Sequence, residues 1–257
     1  MSEVNMANRQ CCDLDIRDYK TREPWVFADF CNTTTAGFSA DAVYANKKGA
    51  KCIKFDDPLG GTISMTFQVH PFKIYAMYSD GEIEDSALIA QKYTASTDGE
   101  YCTTADGIID ISVNGVVEGS VFVYPEGEYG NADKLIAGTY ADGVFTATTT
   151  SDISEDGTYE IGFLFNTASG ENMYDTVRKV SFNNEKTPKD FFIQMSTLDK
   201  DENGDWVPMR LTAYKASPQR SMDLSFSSDG DPAEVTITCD CLEDSDGNVM
   251  DMIELIA

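Results

Sequence analysis

Histidine is almost missing from this chain of 257 residues, and His70 is the single copy. A Ser-His-Asp or Cys-His site would have to be built around it, and it cannot complete a usual zinc set. It directly precedes Pro71 at a strand-to-helix junction, which reads as a structural place. Basic residues are also scarce, 19 against 44 acidic ones, for a net charge of −25. That shortage argues against gripping nucleic-acid phosphates, which needs clustered Lys and Arg. It argues equally against an anionic membrane surface. The excess charge reads as solubility, or as a surface that repels DNA. Trp25 and Trp206 are too few and too scattered for a carbohydrate platform. No stretch approaches the roughly 20 apolar residues of a membrane span. The polar first ten residues carry no signal peptide, so synthesis is placed in the cytoplasm.

Chemistry-bearing motifs are equally thin. The seven cysteines (Cys11, Cys12, Cys31, Cys52, Cys102, Cys239, Cys241) are odd in number and irregularly spaced. They read as reduced, core-filling thiols rather than a disulfide framework. Asp199, Asp201, Asn203 and Gly204 match the opening of a calcium-binding loop, D-x-D-x-N-G. The twelfth position is Arg210 instead of a bidentate Glu, and the flanks read as strands, so a plain hairpin turn is favoured. Carboxylate pairs such as Asp56-Asp57 and Glu84-Asp85 are uninformative in so acidic a chain. No phosphate-cradling glycine loop precedes a helix. The sequence implies no cofactor and no metal, and it points away from an enzyme.

What the chain does have is strand signals. Residues 63–69, 192–197, 209–214, 222–227 and 235–241 alternate apolar and polar side chains with period two. Turn-rich segments at 199–205, 228–232 and 244–248 separate strands, so the last third, ending in 250–256, reads as an antiparallel meander. One short helix is predicted after Pro71, with Phe72, Tyr75, Ala76 and Ser79 on one face, widened by Ile74, Met77 and Tyr78. Residues 103–186 read as a separate, acidic unit. Its short strands at 108–113, 121–124, 136–140, 144–148 and 159–165, with turns between them, predict a small immunoglobulin-like sandwich. The first sheet is expected to resume near 179–182. Residues 33–54 look different: small polar residues, then a rare basic patch of Lys47, Lys48, Lys51 and Lys54. This segment reads as a protruding loop or long hairpin whose basic tip suits an acidic neighbouring copy. A solvated hairpin end is the plain alternative.

Certain segments resemble the tail tube (major tail) proteins of phages of Gram-positive hosts. They are residues 7–9 through 18–21, then PWVFADF at 24–30 and KFDDPLGGTISM at 54–65. KTPKDFFI at 186–193, YKASPQR at 214–220 and SDGDPA at 228–233 belong with them. The resemblance covers the two outer parts of the chain, and simpler members lack the middle unit. It implies an all-β fold: a β-sandwich or barrel core, 1–102 with 187–257, flanked by one short helix and interrupted by the inserted immunoglobulin-like domain at 103–186. It implies a homo-oligomer of hexameric rings stacked into a tube. The stacking contact falls on Thr33, Thr34, Thr35, Phe38, Lys47, Lys48, Lys51 and Lys54. Double-stranded DNA would pass through the lumen without specific binding. Sheath, tape-measure, baseplate and tail-terminator proteins are the implied partners, and the place is the virion tail, assembled in the host bacterial cytoplasm.

Three other classes compete. Another virion part, such as a capsid decoration or baseplate component, would bind preformed structures without forming tubes. An adhesin or carbohydrate-binding module would bind glycans. A hydrolase would lose activity on mutation of one carboxylate pair.

Overall fold

Period-two alternation makes strands wherever one face can be buried, and this chain is mainly β. The computed structural model describes residues 5–29, 31–168, 174, 176–224 and 232–255. Two compact units emerge, 1–82 with 182–257 and 83–181. The first unit opens with β1 (Met6–Asn8), β2 (Asp13–Asp18), β3 (Pro24–Ala28), β4 (Thr33–Ser39), β5 (Ala42–Lys47), β6 (Ala50–Asp56) and β7 (Gly60–Phe67). The second holds β8 (Leu88–Ala95), β9 (Cys102–Ala105), β10 (Ile108–Ile111), β11 (Phe122–Pro125), β12 (Gly138–Ala141), β13 (Val144–Ala147) and β14 (Tyr159–Asn166). The chain returns to the first unit with β15 (Phe191–Asp201), β16 (Trp206–Pro218), β17 (Val235–Leu242) and β18 (Met250–Glu254).

The first unit is built on one antiparallel sheet in the order β3-β2-β15-β16-β17-β7-β4, with β1 added to β15 and β18 to β16. Ile63, Met65 and Phe67 of β7 point inward with Ile237 and Cys239 of β17, all fully buried. Leu14 and Ile16 of β2 and Ile193 of β15 join the same core. The alternate residues form the outer face, where Ser64 meets Thr238 and Thr66 meets Thr236, hydroxyl to hydroxyl at 3.0 Å. These pairs satisfy polar groups across strands without charge.

The predicted helix is a 3-10 helix, Phe72–Tyr78. Three residues per turn, not 3.6, set its buried face. Ile74 and Met77, one such turn apart, therefore lead that face with Ala76 and Tyr78, while Phe72 remains exposed. The Tyr78 hydroxyl donates to the Thr236 carbonyl of β17. Gly81, at φ 79°, closes the end by donating its N–H to the Ala76 carbonyl at 3.0 Å.

The second unit has two sheets, β12-β13-β10-β9 and β11-β14-β8. Ile109, Ile111 and Phe145 from one sheet share a core with Val123, Ile161, Phe163 and Phe165 from the other. Four strands plus three is the size of a small immunoglobulin-like sandwich; the strand order is the unit's own. Gly162 in β14 lets the Tyr129 side chain lie against the strand. A Cβ there would lie 1.9 Å from the Tyr129 hydroxyl oxygen.

Several sequence expectations shift. The unit expected at 103–186 is entered earlier, because β8 pairs along its length with β14. It is left earlier as well: Lys179, expected to resume the first sheet, bridges to Glu84 within the second unit, and the first sheet resumes only at Phe191. Thr33–Ser39, expected in a loop, is strand β4, paired with β7 over all seven residues. Of the strand expected at 222–227, residues 222–224 are irregular. Residues 225–227 lie outside the described residues, as do 228–231 of the turn that follows and Ile256 of the last expected strand.

Candidate assembly surface

The segment singled out in the sequence contains two structures of different kinds. β4 is the last strand of the large sheet, and among the described residues no strand pairs with its outer edge. Such an edge presents unpaired backbone donors and acceptors. Thr34 faces inward enough for its hydroxyl to accept the Cys12 N–H at 3.3 Å. Thr33, Thr35 and Phe38 are exposed.

β5 and β6 then form a two-stranded ribbon that joins no other sheet among the described residues. Its turn is dictated by Lys48 at φ 53° and Gly49 at φ 85°, consecutive left-handed residues of the kind a tight hairpin with right-handed twist demands. Directly opposed residues share a face. Val43 opposes Phe55 and Ala45 opposes Ile53, so one face is apolar until Lys47 at its far end, opposite Ala50. Tyr44 opposes Lys54 and Ala42 opposes Asp56 on the other, polar face. Val43, Ile53 and Phe55 keep 62%, 56% and 58% of their surface exposed. An isolated two-stranded hairpin is marginal in water, and covering those three side chains is worth about 1.5–3 kcal/mol each.

The lysines divide. Lys54 pairs with Asp56, and the Lys51 ammonium sits 3.9 Å from the Tyr44 ring centroid. Lys47 and Lys48, at the turn, make no ion pair among the described residues. The eight residues named from the sequence thus fall on a sheet edge and along a separate hairpin. Sequence reading missed Val43, Ala45, Ile53 and Phe55. Their alternation was visible, but the lysines drew attention first.

The remaining candidates have structural roles. His70 Nε2 pairs with the Tyr75 hydroxyl at 2.8 Å, and burial lowers its pKa. Asp201 turns its carboxylate into its own loop, accepting the Asp205 N–H at 2.7 Å, which holds it below its ordinary pKa. The 244–248 turn repeats the device: Asp244 accepts the Asn248 N–H at 2.8 Å. Among the described residues no group of three or more His, Cys, Asp or Glu could hold a metal ion. Cys102, Cys239 and Cys241 are buried, and burial raises the Cys102 thiol to about 12 and Cys241 to about 11. The core-filling reading fails for Cys52, which lies exposed on β6. A recess of about 300 Å³ in the first unit is lined in part by Lys186 and Arg220. Both cations are engaged there, by Asp80 at 3.0 Å and the Asn183 carbonyl at 2.8 Å.

The model of the YomU/Tube protein family matches residues 102–254. The matched span runs through the second unit and the returning strands β15 to β18, so the middle unit lies inside it. The earlier segments at 7–30 and 54–65, on which the resemblance partly rested, lie outside it. No curated protein matches this chain.

Proposed function

The chain belongs to the YomU/Tube protein family, and on that premise we propose that it is a structural subunit of a phage tail tube, acting by self-association. Copies close into hexameric rings, rings stack, and the stack is the conduit through which double-stranded DNA leaves. The observation that carries this reading is the β5–β6 hairpin, whose apolar face has no cover among the described residues. A sheet with a free edge at β4 supplies a second contact of the same kind. The net charge of −25 supports a wall to which phosphates do not adhere. In this reading Thr33, Thr35 and Phe38 act at the sheet edge. Lys47, Lys48, Lys51 and Lys54 act at the hairpin, between stacked rings. Sheath, tape-measure, baseplate and terminator proteins would meet the finished tube in the virion tail.

Negative-stain electron microscopy of concentrated protein tests the proposal. Rings or tubes with sixfold symmetry are expected. Monodisperse monomer at every concentration, with or without a preassembled nucleus, overturns it.

A further inference from the structure

The hairpin needs a receiving surface, and the first unit carries a row of large apolar side chains that stay partly exposed among the described residues. β15 and β16 run on past the buried core to their turn at 201–206, flanked by β18. In that extension Leu198 opposes Pro208, Lys200 opposes Trp206 and Arg210 opposes Ile253. Leu255 continues the β18 ladder by donating its N–H to the Pro208 carbonyl at 2.9 Å. Opposed residues share a face and alternate residues repeat it. Leu198, Trp206, Pro208, Ile253 and Leu255 therefore form an apolar row on the side of the sheet away from the core, which they share with Arg210 and with Lys200, whose ammonium lies 5.5 Å from the Trp206 ring centroid. Trp206 is 54% exposed, Leu255 40%, Ile253 39% and Leu198 37%.

We propose that this patch is the socket for the β5–β6 hairpin of a second copy. Charge selects that occupant. Past the patch lies the β15–β16 turn with Asp201, Glu202 and Asp205. The Asp201 carboxylate is held ionised by its loop hydrogen bonds. The hairpin carries the matching pattern in the same order: an apolar face of Val43, Ala45, Ile53 and Phe55, then Lys47 and Lys48 at its tip. Laying one apolar face on the other brings the two lysines to the acidic turn. In a chain with more than twice as many acidic as basic residues, few other surfaces can offer that complement. This inference rests on the self-association reading and specifies which face of the neighbour is used.

The test uses full-length protein. Phe55 is replaced by p-benzoylphenylalanine, and isotope-labelled and unlabelled copies are mixed, assembled, irradiated and digested. Cross-links between copies to residues 198–210 or 250–255 are expected. The variant Trp206→Asp should raise the concentration for half-assembly at least about tenfold, as loss of an anchoring aromatic does at an interface. Circular dichroism should be unchanged, since Trp206 is exposed. Lys47→Glu with Lys48→Glu should weaken assembly likewise, and adding Glu202→Lys with Asp205→Lys should restore it. Cross-links to another surface, with assembly indifferent to Trp206→Asp, overturn the socket but leave self-association standing. Assembly indifferent to Phe55→Asp overturns the hairpin's part in it, and absence of any assembly of the unsubstituted protein overturns the self-association reading itself.

Discussion

The β7–β17 pair and the β5–β6 hairpin are written in the same alternating pattern, yet they end in opposite circumstances. Ile63, Met65 and Phe67 of β7 have no exposed surface, while Val43, Ile53 and Phe55 keep more than half of theirs. The difference lies in what each apolar face meets. β7 shares one core with the 3-10 helix and β2; the hairpin's apolar face stays exposed and pairs with no other strand among the described residues. An apolar face without an intramolecular partner is the mark of an intermolecular one. Fold stability and assembly should accordingly respond to different residues.

The largest separation is expected between Phe67→Ala and Phe55→Ala. The first opens a cavity in the core and should cost about 3–5 kcal/mol in chemical denaturation. The second should change the stability of dilute protein by less than about 0.5 kcal/mol, yet shift the sedimentation profile at high concentration toward monomer. Equal stability losses for the two would erase the distinction drawn here. Next in size, Gly162→Ala forces the Tyr129 hydroxyl off the β14 backbone. Because Tyr129 is 44% exposed and can swing outward, the substitution should lower stability by less than about 1 kcal/mol, below the usual cost of overpacking a core, with assembly of the folded protein intact.

Acid offers a smaller effect. Asp18, Asp80, Asp201 and Asp244 are all held below their ordinary value of 3.8. Hydrogen bonds from Thr21, Asp205 and Asn248 lead for Asp18, Asp201 and Asp244. For Asp80, burial pushes upward and is outweighed by Lys186 and by the Glu82 N–H. The unfolded chain thus binds more protons than the folded one as pH falls through this range. The stabilisation is present above the unfolded value and is lost below it. The melting temperature should fall between about pH 4 and pH 2, and a rise would contradict these assignments. Smallest is the thiol response: in native protein Cys52 should alkylate at neutral pH well before Cys102, Cys239 and Cys241, which should react only on unfolding.

Much of the fold was legible because alternation and turns are local. Residues 63–67 and 235–241 declared both their strands and their inner faces, and Cys239 and Cys241 proved to share the buried side. Residues 88–95 were harder to read. LIAQKYTA lacks a strict alternation, and only pairing with β14 makes it a strand and moves the unit boundary. The 3-10 winding at 72–78 was likewise invisible, since an α-helical wheel and a 3-10 wheel differ only by a fraction of a residue per turn. At the candidate surface, Lys47 and Lys48 stood out by rarity. The apolar row behind them did not, because exposed and buried alternation look alike until the partner is known. The patch around Trp206 was illegible for the same reason: Leu198, Pro208 and Ile253 become neighbours only through strand register.

The most direct measurement is hydrogen–deuterium exchange of residues 42–56 in dilute and in assembled protein. Fast exchange throughout the ribbon when dilute, with strong protection on assembly and little change in β7 and β17, is the predicted result. A hairpin already protected in the monomer, or one that exchanges as fast in the assembled state, would contradict the claim that another copy covers it.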